Sequence, residues 1–225
     1  MRPWHIVLVG FLLCVQSALA QNPPPRNALA EADALIRGTD AIWMRDFSAV
    51  DTKLRQALRL RELALGPASV PVADVLGMLG RNAWNAGSYP EAERWLRRQL
   101  ELEERNRPES FETSRALGDL GATLREMCRL EEAGTHVERS LAMRRRLFGA
   151  TDGWVGASLD NLSRILEMQG RLPEAEARAE EALAITGPGS ARLGERTERL
   201  QCLRRMQEPG WVGEPCWPRR CRPTS

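Results

Sequence analysis

Gly87-Ser88-Tyr89-Pro90-Glu91-Ala92 decides the fold, because versions of this turn return along the chain at a nearly fixed spacing. Asp46-Phe47-Ser48-Ala49-Val50, Ser88-Tyr89-Pro90-Glu91-Ala92, Arg129-Leu130-Glu131-Glu132-Ala133 and Arg171-Leu172-Pro173-Glu174-Ala175 occupy equivalent places, with second residues 42, 41 and 42 positions apart. Other landmarks keep the same step. Leu76, Leu117 and Leu159 recur in phase, as do Leu79, Leu120 and Leu162, and Leu58, Leu100, Leu141 and Leu183. A fixed period of this length is the signature of a stacked-repeat architecture, in which one supersecondary unit is copied along an axis.

Each period reads as two amphipathic helices. Leu76, Leu79 and Ala83 form one stripe at helical spacing, and Ala92, Leu96 and Leu100 form a second. Between them Gly87-Ser88 stops the first helix, and Pro90 starts the next at a first-turn position where its missing N–H costs nothing. Leu65-Gly66-Pro67, Arg107-Pro108 and Gly149-Ala150-Thr151-Asp152 separate the units, and Ser69 and Thr151 or Asp152 are suitable N-caps. The predicted architecture is an all-α solenoid of stacked helix-turn-helix units at about 28–66, 67–107, 108–149 and 150–186. Leu200 and Leu203 continue the register into a lone helix within 187–207, whose Arg192, Glu195, Arg196, Glu198, Arg199, Arg204 and Arg205 suit a polar solenoid cap. Residues 208–225 hold prolines, tryptophans and cysteines with no helical period, and Trp211 and Trp217 are expected to pack back on the cap.

These motifs resemble the tetratricopeptide repeat (TPR), in the longer, roughly 42-residue variety of kinesin light chains. Leu159-Asp160-Asn161-Leu162-Ser163 mirrors that family's first-helix core, and Gly87 to Ala92 and Gly170 to Ala175 mirror its turn, with Leu172 in place of the aromatic residue. The third unit departs by placing Cys128 where the turn glycine is expected, and the first by Arg45 and Val50. The resemblance implies a right-handed superhelix whose first helices line a concave groove holding a peptide or helix of a partner protein. Mapped from the family motif, the groove-facing residues are Asp74, Arg81, Trp84 and Asn85 in the second unit, Arg115, Arg125 and Glu126 in the third, and Asp160, Arg164 and Glu167 in the fourth. Arg81, Arg125 and Arg164 beside Trp84 would suit an acidic or C-terminal segment, because guanidinium forks match carboxylates. The competing reading pairs these arginines with Glu126, Asp160 and Glu167 in a solvated lattice.

The N-terminus reads as a secretory signal. Arg2 is the only charge before the apolar run Ile6–Val15, and Ala18 and Ala20 form an A-x-A end ahead of Gln21. The run is half the roughly 20 apolar residues a membrane span needs, and the bulky Leu13 before Cys14 argues against a lipoprotein. Cleavage after Ala20 would leave about 205 residues, beginning with a short extended linker at 21–27. The expected location is therefore outside the cytoplasm, periplasmic or secreted. Formal charge is +2 for the whole chain, which gives no bulk electrostatic case for nucleic acid.

Catalytic chemistry has little to work with. His136 is the one histidine beyond the leader, and no phosphate-binding glycine loop is present. Cys128 reads as a small residue buried at a turn. Cys202, Cys216 and Cys221 crowd the last 24 residues and read as disulfide candidates with three possible pairings, since an oxidising compartment favours a staple over a metal site. No metal and no cofactor are expected. The favoured function is a non-enzymatic adaptor or scaffold. An enzyme or metal protein using the Cys-rich tail, or a self-associating structural protein, are the alternatives.

Overall fold

The computed structural model describes residues 27–187 and 189–213. The expected leader at 1–20, nearly all of the 21–27 linker, and Trp217, Cys216 and Cys221 lie outside the described residues. Within them the chain forms nine α-helices and no strand. These are α1 (Ala28–Arg37), α2 (Phe47–Leu65), α3 (Val70–Asn85), α4 (Tyr89–Asn106), α5 (Phe111–Glu126), α6 (Leu130–Phe148), α7 (Gly153–Met168), α8 (Leu172–Ile185) and α9 (Leu193–Met206). Each helix packs on its immediate neighbours in the chain, and the first helices of adjacent units also touch, α3 with α5 and α5 with α7. That is the contact pattern of an all-α repeat solenoid.

The turn inside each unit explains the motif that defines the repeat. Gly87 (φ 76°) and Gly170 (φ 78°) sit in the left-handed region, where a glycine pays no Cβ penalty. Cys128 takes the same place in the third unit at φ 61°. In each case the backbone then accepts a helix restart, helped by Pro90 and Pro173 in the first turn. Asp46, Ser110 and Asp152 cap α2, α5 and α7 by accepting backbone N–H bonds from Ala49, Thr113 and Trp154. Ser69 stands at the N-cap of α3, but its side chain accepts no capping bond.

Close approach of the two helices in a unit rests on small residues. Ala92, Ala133 and Ala175 are fully buried on the second helices. Opposite them lie Gly80 and Gly121, where a Cβ would come 2.6 Å from Leu96 and 2.5 Å from Val137. Ser163 holds the corresponding place in α7, and its hydroxyl donates to the Ala175 carbonyl at 2.8 Å. The leucine stripes fill the space between: Leu76, Leu117 and Leu159 on one row and Leu79 and Leu120 on the next are completely buried. The core divides into a cluster over the first two units and a larger one from Ala83 to Leu203, with Trp95 packed against both.

The first unit departs from the repeat. A first helix in register would continue toward residue 43, but α1 ends at Arg37, and Gly38 to Arg45 run through successive turns that include Met44 at φ 67°. Gly38 followed by β-branched Thr39, whose hydroxyl donates to the Ile36 carbonyl at 2.7 Å, offers the backbone an alternative to helix there. On the convex side, arginine–glutamate pairs tie each second helix to the next: Arg55 with Glu91, Arg97 with Glu132, Arg139 with Glu104, and Arg145 with Glu181.

Candidate functional site

The first helices α3, α5 and α7 place their polar rows on one concave face. A cavity of about 410 Å³ opens there, lined by Trp43, Arg81, Trp84, Asn85, Leu96, Asp119, Ala122, Thr123, Arg125, Asn161 and Arg164. The periodicity accounts for this set. Asp119 and Asn161 stand one residue before Leu120 and Leu162, so successive units deliver them to the same row. Arg81, Ala122 and Arg164 form a second row by the same step.

Three arginines and one carboxylate line this cavity, and two carboxylates beyond the lining, Glu126 and Glu195, pair with two of the arginines. Each arginine is held by a partner. Arg81 Nη1 lies 3.4 Å from Asp119, Arg125 donates to Glu126 at 2.7 Å and to Asn161 at 2.9 Å, and Arg164 donates to Glu195 at 2.6 Å. Burial pushes Arg81 below the usual arginine range, opposed by Asp119. The same desolvation pushes Asp119 above the usual carboxylate range in spite of Arg81 and Arg115. At 3.4 Å the attraction between them does not repay the lost hydration, the common outcome for enclosed ion pairs. Arg164 is lowered in the same way by burial, with Arg125 adding repulsion. Trp84 packs edge-on to Tyr89 at 6.4 Å, and its buried indole N–H has no acceptor among the described residues. The cavity therefore combines an aromatic wall, an unused donor and three arginines.

Of the ten residues expected to face the groove, Arg81, Trp84, Asn85, Arg125 and Arg164 meet at this cavity. The other five lie elsewhere on the first helices. Asp74 is bound by Arg107 at 3.0 Å, and Arg115 stands over the Phe111 ring at 5.6 Å. Glu126 pairs with Arg125, Asp160 accepts from Arg196 at 2.7 Å, and buried Glu167 accepts from Arg199 at 2.7 Å. Trp43, Leu96, Asp119, Ala122, Thr123 and Asn161 complete the lining, and none of them is among the residues expected to face the groove. The 42-residue step from Asp119 to Asn161 was available as a signal, whereas Trp43 sits in the irregular turns of the first unit.

Residues 112–186 match the family model of the tetratricopeptide repeat. BtubC (BKLC) from P. vanneervenii superposes with a TM-score of 0.61 at 18% identity, over 83% of each chain. A Podosopora anserina kinesin light chain with nearly identical TPR-like repeats gives a TM-score of 0.64 at 16% identity, over 77% of this chain and 83% of that one. The fold is a TPR-like solenoid. No curated protein matches the sequence. In this TPR-like frame the cavity is the concave groove, built by the first helices of the second to fourth units.

Two further sites bear on chemistry. Cys128 and Cys202 are both disulfide-bonded, which corrects the reading of Cys128 as a merely buried turn residue. His136 lies half-buried on α6, 3.8 Å from Glu132, and burial lowers its pKa from the usual histidine value. Among the described residues no group of three or more His, Cys, Asp and Glu side chains could hold a metal ion. No described helix is long and apolar enough to cross a membrane.

Proposed function

We propose that this protein is an exported, non-enzymatic adaptor that holds an acidic peptide or helix of a partner protein in its concave groove. The observation that carries the reading is the gathering of three arginines in one groove cavity beside Trp84 and Trp43. Solenoids of stacked helical units present such extended concave surfaces for binding. Internal pairing of the arginines does not oppose this reading. An incoming carboxylate would join Arg81 and Arg164, whose burial already disfavours their charge, and the Trp84 indole N–H supplies a donor. Export rests on the Arg2, Ile6–Val15 and Ala18-Leu19-Ala20 pattern, and fits an oxidised state of Cys128 and Cys202.

The test is affinity capture from envelope and secreted extracts with the chain beginning at Gln21, compared with an Arg81→Ala/Arg164→Ala variant of matched thermal midpoint. A partner retained by the unaltered protein and lost by the variant supports the groove. Equal retention by both would move the binding surface elsewhere. Arg125 is left intact because its guanidinium is buried against Glu126 and Asn161, where replacement would damage the fold.

A further inference from the structure

Large apolar side chains that stay exposed are gathered at one edge of the solenoid. Short connections at 66–69, 107–110 and 149–152 join the end of each second helix to the start of the next first helix. Contacts make these tips one continuous edge. Asn106 of α4 donates to the Ala68 carbonyl at 3.0 Å, Arg146 of α6 donates to Glu109 at 3.0 Å, and the Phe111 and Trp154 ring centroids lie 4.8 Å apart. Among the described residues nine large hydrophobic side chains are exposed, and seven of them lie in first or last helical turns at this edge. The other two are Met44, in the turns of the first unit, and Val212, beyond α9.

Their order along the edge is informative. The tip between the first and second units presents Leu63 and Leu65, and the tip between the third and fourth presents Leu147, Phe148 and Trp154. Leu29 and Leu193 lie farther out at the two ends. The tip in between is polar and bears both signs, in the pairs Arg105–Glu101 at 2.9 Å and Arg146–Glu109 at 3.0 Å, all four side chains more than half exposed. Apolar, charged, apolar reads the same in both directions. An isologous contact needs such a surface, one that complements itself under a two-fold rotation.

We propose that this edge binds the same edge of a second copy, antiparallel about a two-fold axis at the tip between α4 and α5. The rotation lays Leu63 and Leu65 of each copy against Phe148 and Trp154 of the other. The separation of the apolar tips is identical in both copies, so the two contacts close together. On the axis, Arg105 and Arg146 of one copy come to Glu101 and Glu109 of the other. A flat lipid surface would have to take up these four charges along with the apolar tips, at a desolvation cost, whereas a copy supplies an opposite charge for each. The named side chains are fewer than the roughly 20–30 residues a side of a standard interface, so the dimer should form reversibly. Arg81, Trp84 and Asn85 of the groove cavity sit in the C-terminal turns of α3, at the far end from this edge, so both grooves stay open. Two open grooves would bind a bivalent partner with avidity. That consequence rests on the groove reading above; the dimer itself does not.

Sedimentation velocity of the chain beginning at Gln21, over a concentration series in the micromolar range, tests the contact. A monomer should give way to a dimer and to nothing larger, and the dimer should run as a monomer on a non-reducing denaturing gel. Leu65→Glu and Trp154→Arg each put a charge into the apolar contact and should hold the chain monomeric, with helical circular dichroism retained because both side chains are exposed. Met44→Glu, on the opposite edge, should leave the dimer unchanged. Mixing the first two variants is decisive. One copy of each meets with a Glu–Arg pair at one apolar contact and the original residues at the other, so the mixture should dimerise. A chain monomeric throughout, a ladder of larger oligomers, a covalent dimer or a mixture that stays monomeric would each overturn the proposal. Pelleting of the monomer with phosphatidylcholine–phosphatidylglycerol vesicles would also overturn it, by assigning the edge to a bilayer. Arg81→Ala/Arg164→Ala leaves this edge intact, so capture and dimerisation are lost separately and the two readings fail separately.

Discussion

At the scale of single residues, volume and protonation are the sensitive quantities. Gly121 faces Val137 so closely that a Cβ would lie 2.5 Å from it and 3.1 Å from the Ala133 carbonyl. Gly121→Ala gains about 1 kcal/mol of helix propensity but overpacks the crossing, a cost of about 1–3 kcal/mol. The net expectation is a loss of about 1 kcal/mol in urea unfolding. Gly134, within α6, meets only Ile165 Cγ2 at 3.8 Å, so Gly134→Ala should stabilise by about 0.5–1 kcal/mol. The same direction for both substitutions would show that the helix crossing is not limited by these contacts. His136 gives a pH signature. Its folded pKa lies below the unfolded value of about 6.5, chiefly through desolvation, with Glu132 and Glu104 opposing and Arg97 and Arg139 reinforcing. Between the two pKa values the unfolded chain binds more protons, so stability falls as pH drops below about 6.5. His136→Gln should lose less stability than the unaltered chain between pH 7.5 and 5.5. Parallel losses would mean that His136 is not the group responsible.

At the scale of elements, α9 closes the solenoid by ion pairs as much as by apolar contact. Leu200 and Leu203 are buried, but Arg196 and Arg199 are buried as well, reaching Asp160 and Glu167 on α7. Glu167 is almost wholly enclosed, so Arg199→Met strands its charge, at a cost of about 3–5 kcal/mol. Arg199→Met/Glu167→Met replaces both partners by apolar side chains and should recover most of that loss. Hydrogen exchange of α9 is the measurement, and a double variant as labile as the single one would show that the pair is not the link. These pairings also mark where sequence reading reached its limit. Helix stripes, turn glycines and caps are local, and each was readable from residue type and spacing. Leu76, Leu117 and Leu159 recur in phase and are all buried. Which arginine meets which carboxylate depends on side-chain reach between units, so the roles of Asp160 and Glu167 as anchors for the cap were not legible. The Cys128 bond was hidden for the same reason. Its position reads as a turn, and a turn residue shows nothing of its bonding.

At the scale of the whole molecule, connectivity sets how the structure comes apart. Each helix packs chiefly on its neighbours in the chain, with bridges between successive first helices. Stability in such an array is close to a sum of unit terms and nearest-neighbour interfaces, and damage at one end stays there. The two ends differ from the middle. At one, the ten-residue α1 is followed by a run of turns that leaves the first unit short of a full first helix. At the other, α9 packs its backbone on α8 alone and reaches α7 through the Arg196–Asp160 and Arg199–Glu167 pairs. The middle carries the buried glycine and alanine crossings of α3 to α6 and the larger part of the continuous leucine core. Native-state hydrogen exchange should therefore report a gradient, with slowest exchange in α3 to α6 and fastest in α1 and α9. A chain ending at Gly187 removes α9 and uncovers α8, and exchange should quicken in α7 and α8 while α3 and α4 keep their rates. Uniform acceleration along the whole chain would contradict that expectation, because it would require α9 to be coupled to units it does not touch. Confinement of the loss to α7 and α8 would show that the concave groove between α3 and α5 is supported by its own units and can be engineered without the C-terminal end.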